Sequence, residues 1–127
     1  MSLFPVTNAD LSPDLERRFP GFDALDEPRV VVDMPTLDRN LAAATSIVAG
    51  KAALHPHVKT HKSLAIARAQ RDRGASGFTI ARVHEARILL EAGLEPVTIA
   101  YPLISAATAT ALLKIAARPG RLRFISD

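Results

Sequence analysis

What most restricts the fold of this chain is a regular alternation of short β-branched or apolar runs with helix-period segments, the helices closed by glycine. Val30-Val31-Val32 reads as a buried strand, Asp33 is a good N-cap, and Pro35 suits a first helical turn. Leu37, Leu41, Ala44 and Val48 then recur in helical phase, and Gly50 is placed to end that helix in a left-handed conformation. Leu54 to Thr60 is strand-like; Ser63 caps a helix with Ile66, Ala67 and Gln70 in phase, closed by Gly74. The unit repeats with a strand from Phe78 to Ala81, a helix through Glu85, Ala86, Leu89 and Leu90 to Gly93, and a strand from Val97 to Tyr101 behind Pro96. Ser105 begins an Ala-rich helix with Leu112 and Leu113 on its apolar side, and Pro119-Gly120 turns the chain into a last strand, Leu122 to Ser126.

Alternation of this kind, with short turns, argues for α/β architecture built of βαβ units around a parallel sheet. Two arrangements satisfy it, a doubly wound sheet and a (β/α)8 TIM barrel. A whole barrel usually takes ~250 residues, so 127 residues supply about the first half of one. Half a barrel leaves strand edges unpaired, which predicts a truncated chain that is inactive alone. Residues 1–28 carry Pro5, Pro13, Pro20, Gly21 and Pro28 and read as an extended N-terminal arm, a lid or packing segment ahead of a folded unit over 29–127.

Several function classes drop out on composition. There is no cysteine, so disulfides, thiolate metal sites and cysteine nucleophiles are excluded. No window approaches the roughly eighteen apolar residues of a membrane span, and the first ten residues have no secretory pattern, so a cytoplasmic protein without membrane contact is expected. The net charge of +3 is spread along the chain, and aromatics are 5% and lie apart from the arginines, which argues against a nucleic-acid partner.

The chemistry is concentrated in His55-Pro56-His57-Val58-Lys59-Thr60-His61-Lys62-Ser63. In a strand, period-two geometry places His55, His57, Lys59 and His61 on one face and Leu54, Pro56, Val58 and Thr60 on the other. Such basic groups can be solvated and idle at a strand end, but four on one face of an apolar chain favour a site. Neighbouring cations and desolvation would both disfavour the protonated amine of Lys59, leaving a nucleophile able to condense with an aldehyde. His84 and Glu85 read first as polar residues favouring a helix start, and Tyr101 as a residue of the sheet's C-terminal end or a half-buried packing group.

These residues resemble the D-threonine aldolase and D-serine dehydratase family, which has the alanine racemase fold. The resemblance runs from Val30 to about Tyr101: Arg29-Val30-Val31-Val32-Asp33 with Leu37, Asp38, Asn40 and Leu41; Pro56-His57-Val58-Lys59-Thr60-His61-Lys62-Ser63; Gly77-Phe78-Thr79-Ile80-Ala81 with Glu85-Ala86; and Ile99-Ala100-Tyr101-Pro102. The Pro-His-x-Lys-Thr-His-Lys run is its specific part. It implies that Lys59 holds pyridoxal 5'-phosphate (PLP) as a Schiff base at the end of the first barrel strand, and that residues 29–33 pair with a C-terminal β-domain. A D-amino acid then displaces Lys59, the ring acts as an electron sink, and the freed lysine serves as a base. His57 is expected to orient the cofactor or tune the lysine. The family's stacking arginine, tyrosine, phosphate loops and divalent metal (zinc or manganese) would lie beyond Asp127, so no metal ligand is assigned here. A homodimer is compatible with the family.

Two other readings compete. One is a PLP-binding homeostasis protein with the same barrel and no reaction of its own. The other is an amidohydrolase-type metal enzyme using His55 and His57 as an H-x-H pair, which a lysine on the same face would oppose.

Overall fold

The computed structural model describes residues 15–21, 24, 30–102, 105–116 and 120–125. The chain divides into two compact units, Met1–Met34 and Pro35–Asp127. In the first, residues 15–18 form a helical turn, and the Arg18 guanidinium lies 5.7 Å from the centre of the Phe19 ring. Arg18 also donates through Nε to Asp33 at 2.8 Å. The arm expected over 1–28 falls largely outside the described residues. Val30, Val31 and Val32 are in no strand and are 94%, 38% and 38% exposed; the partner expected for them lay in a C-terminal β-domain. A strand is buried only by a neighbour, and no described residue pairs with these three.

In the larger unit, helix α1 (Met34–Val48) has the phase its apolar spacing predicts: Leu37, Leu41, Ala44 and Val48 are all half-buried. None is fully buried, because α1 is held mainly by polar ties to the end of α2 (Leu64–Asp72). Arg73 forks onto both Asp38 oxygens at 2.6 and 2.5 Å, and the Thr45 hydroxyl lies 2.6 Å from the Arg73 carbonyl. Helix α2 starts as predicted, with the Ser63 hydroxyl accepting from the Ile66 N–H at 3.3 Å. Ser63→Ala removes that cap and is expected to lower stability by about 1 kcal/mol, read as a fall in the urea midpoint without a change in slope.

Strands β1 (Phe78–Ile80), β2 (Val97–Ile99) and β3 (Leu122–Phe124) form a parallel sheet in that order, joined through α3 (Val83–Glu91) and α4 (Ala106–Ala116). Each strand is shorter than its apolar run. The register aligns Phe78 with Val97 and Leu122, and Ile80 with Ile99 and Phe124. Phe78, Ile80, Val97 and Ile99 are buried in one core with Ala86, Leu89 and Leu90 of α3 and Leu112 of α4. Leu113, expected beside Leu112 on the apolar side, is 66% exposed, since adjacent helical positions diverge by about 100°. Phe124 is 45% exposed because β3 is the edge of the described sheet.

The opposite sheet face is polar. Thr79, Thr98 and Arg123 are register partners, and His57 joins that row through a parallel bridge to Thr79. One face is thus packed with helices while the other carries hydroxyls, a guanidinium and an imidazole.

Candidate active site

The predicted strand from Leu54 to Thr60 exists only in its first half. Ser76 N–H donates to Leu54 O at 2.8 Å and Thr79 N–H to Pro56 O at 2.8 Å, so residues 54–57 run alongside the β1 edge. After the His57 bridge the chain tightens into a 3-10 turn, Val58–Thr60. The cause is local: the Lys59 N–H donates to His57 Nδ1 at 3.2 Å, and the side chain thereby supplies the acceptor a further ladder would have offered. The same device recurs four residues on, where the Ser63 N–H donates to His61 Nδ1 at 3.1 Å. Between them Val58 O accepts from His61 N–H (3.2 Å) and Lys62 N–H (2.8 Å). Lys62 completes the turn at φ 48, a left-handed value uncommon for a non-glycine residue.

The expectation of four basic groups on one face is therefore corrected. Strand pairing ends at His57, and Lys59 and His61 lie in and just after the 3-10 turn, outside a strand's period-two alternation. Val58 is 4% exposed and anchors the turn in the core, whereas Lys59 is exposed just past the point where its segment pairs with β1. Lys59 is an accessible primary amine on a turn bracketed by two imidazole acceptors. His55 lies against the backbone at Gly77, where a Cβ would stand 2.6 Å from His55 Cε1.

Glu85 is the one buried charged residue among those described, at 7% exposure. It sits in the first turn of α3, where its Oε2 accepts from the backbone N–H groups of Ala81 (3.2 Å) and Arg82 (3.0 Å). Its Oε1 is buried without a hydrogen-bond partner. Sequence reading placed Glu85 at a helix start and did not anticipate its burial. A glutamate three residues past Arg82, ahead of an apolar helix face, is the capping-box spacing that signals it. Glu85 lines a crevice of about 170 Å³ with Val58, Lys62, Ser63, Leu64 and Ile88. A second cavity of about 320 Å³ lies at the C-terminal ends of β1 and β2, bounded by Ala81, Arg82, Ile99, Tyr101, Ser105 and Thr108. Tyr101, 56% exposed, is on its rim. His84 is exposed.

Burial pushes the imidazoles of His55, His57 and His61 below their ordinary value. Arg123 and Arg71 push His55 further down; Lys59 does so for His57, which Glu85 opposes. For His61 the opposition comes from the neighbouring Gln70 side chain and the Ser63 backbone. Since Nδ1 of His57 and of His61 accepts a backbone N–H, the hydrogen of each neutral ring is on Nε2. Lowered folded-state values mean that the unfolded chain takes up protons first as the pH falls through about 6.5. Stability is accordingly full above that value, declines in the window below it, and levels off once the folded imidazoles also protonate. Urea midpoints are expected to fall between about pH 7.5 and 5.5, with a shallower fall in His61→Gln.

Among the described residues no three His, Cys, Asp or Glu gather to hold a metal ion.

The alanine racemase N-terminal domain family matches residues 32–120 of this chain. D-threo-3-hydroxyaspartate dehydratase of Delftia sp. (strain HT23) is 41% identical over 70 residues, 54% of this chain and 18% of that protein. The solved structure of D-threo-3-hydroxyaspartate dehydratase from Delftia sp. HT23 superposes with a TM-score of 0.73 at 35% identity, covering 81% of this chain and 27% of that one. D-threonine aldolase from Filomicrobium marinum gives 0.72 at 30% identity, covering 83% and 28%. The chain thus spans less than a third of the length of these relatives. With the family matched across βα units β1 to α4 and the Lys59 turn, this chain belongs to the alanine racemase N-terminal domain family.

Proposed function

We propose that this chain carries the cofactor-bearing segment of a PLP-dependent lyase acting on β-hydroxy D-amino acids, with Lys59 as the amine that takes the cofactor's aldehyde. The observation that carries the reading is the Lys59 turn: an exposed amine, held by two imidazole-to-amide bonds beside the end of a parallel sheet. Relatives named as a D-threo-3-hydroxyaspartate dehydratase and a D-threonine aldolase support the substrate class. The polar face of the sheet suits the interior of a (β/α) barrel, whose functional groups gather at the strands' C-terminal ends.

The residues fit the covalent anchor. Lys59 is accessible to an aldehyde, Val58 fixes the turn beneath it, and neutral His57 presents Nε2–H as a donor. When bound, PLP supplies an electron sink for the bond broken at the substrate's Cα. Lys59, once free, is the base that holds or moves the proton. His57 orients the turn through Nδ1 and has its other nitrogen left for a ligand. The divalent metal that the family resemblance implies has no ligand set among the described residues, so no step is assigned to it. His57 also makes a poor member of an H-x-H metal pair, because a ring whose Nδ1 accepts an amide hydrogen keeps its own hydrogen on Nε2.

Incubation with PLP, borohydride reduction and peptide mass spectrometry test this reading, with circular dichroism on the same sample. A pyridoxyl adduct confined to Lys59, sparing Lys51, Lys62 and Lys114, is the expected result. A folded chain labelled evenly over all four lysines, or not at all, would sink it.

A further inference from the structure

We propose that Glu85 is a positioning residue for Lys59: its carboxylate is the counter-charge that holds the His57–Ser63 turn against the end of β1. This rests on the reading of Lys59 as the cofactor lysine, and extends it to a residue on a different element.

The geometry of the carboxylate is divided between two tasks. Oε2 is engaged with the N–H groups of Ala81 and Arg82, which fixes the carboxylate to the residues immediately after β1. Oε1 is buried and accepts nothing. A buried charged acceptor without a donor is costly and calls for an explanation. Cap formation explains Oε2 and leaves Oε1 unexplained.

What Oε1 can answer to is on the facing segment. His55 to Ser63 contains three imidazoles, two lysines and no acid. Both ends of the Lys59 turn, Val58 on one side and Lys62 with Ser63 on the other, line the same crevice as Glu85. The turn and the carboxylate are also tied mechanically, since His57 pairs with Thr79 of β1 and Glu85 holds Ala81 and Arg82 two and three residues further on. The field of Glu85 reaches the His57 ring, where it opposes the effects of burial and of Lys59. Beside the Val58 anchor and the His57–Thr79 pairing, this charge offsets the two lysines of the turn, Lys59 and the left-handed Lys62.

Glu85→Gln is the discriminating variant, because glutamine preserves an acceptor for the capping N–H groups and removes only the charge. Two readouts are taken on the full chain: borohydride-trapped pyridoxyl at Lys59, and the His57 titration midpoint by NMR, which needs no cofactor. We expect Lys59 labelling to fall about tenfold, as for the loss of one through-space charge attraction, and the His57 midpoint to move down while that of His55 stays. A folded Glu85→Gln chain with both readouts unchanged overturns the proposal. Should the wild-type chain fail to label at Lys59, the cofactor reading fails and the His57 midpoint alone decides the role of Glu85: a fall supports it and no change overturns it. If Glu85→Gln does not fold, the Glu85 carboxyl carbon is followed in wild-type protein. A second inflection at the His57 midpoint supports the proposal; its absence overturns it.

Discussion

Lys59→Arg is expected to abolish the pyridoxyl adduct while leaving the chain folded. Arginine keeps the positive charge and nearly the reach of lysine, but its guanidinium does not form a stable imine with an aldehyde. The loss should be at least about 100-fold, because the advantage of Lys59 over other lysines comes from a positioned amine. Lys62 does not take over: it follows the turn in a left-handed conformation and lines the crevice beside Glu85. Stability should change by no more than about 0.5 kcal/mol, since Lys59 is exposed and its side chain makes no hydrogen bond that the turn requires. Retained labelling in a folded Lys59→Arg chain would place the cofactor amine elsewhere. Peptide mass spectrometry after reduction, with a urea titration on the same preparation, separates loss of the site from loss of the fold.

Gly77→Ala is expected to destabilise the chain by about 3 kcal/mol, the upper end for forcing a methyl group into a packed site. A Cβ at position 77 would stand 2.6 Å from His55 Cε1 and 2.8 Å from the Pro96 carbonyl oxygen. The second contact is the harder to relieve. Pro96 O accepts from the Phe78 N–H at 2.9 Å and is thereby pinned between β1 and β2. Relief by movement would break that bond at the strand's first residue, beneath a ring that is fully buried. His55→Ala in the Gly77→Ala background should recover part of the loss, because it removes one of the two obstructions and leaves the carbonyl. An unchanged urea midpoint in Gly77→Ala would mean that the segment preceding β1 is free to shift.

Which features were legible in the sequence follows from what enforces them. Helix phase and helix starts are set by side chains a few residues apart, and α1, α2 and α3 keep the phases that Leu37, Ile66 and Glu85-Ala86 indicate. Strand length depends on neighbours distant in sequence, so Val30-Val31-Val32 looks like a strand on paper and stands exposed without a partner among the described residues. The Lys59 segment misled for a different reason. Alternating histidines have the spacing of a strand face, but an imidazole Nδ1 can also accept the amide two residues on, and at His57 and His61 that local bond wins. The run that carries Lys59 stood out by residue type and pattern; its placement on a turn did not. Glu85 carried a readable cap spacing, but its burial depends on how α3 settles on β1 and β2, which no local window contains.

The sheet's hydrogen bonds also divide the unit by how readily its amides meet solvent. The amides of Phe78, Val97 and Ala100 bond across adjacent strands or to the segments flanking them, over a core that includes Phe78, Ile80, Val97 and Ile99. The Lys59 amide instead ends on an imidazole, beside an exposed side chain. Deuterium uptake should therefore be slow at β1 and β2 and fast at Lys59, because opening the turn breaks a few local bonds whereas opening the sheet breaks the core. The exposed Lys59 is thus borne by a segment that can open and reclose without unfolding the rest.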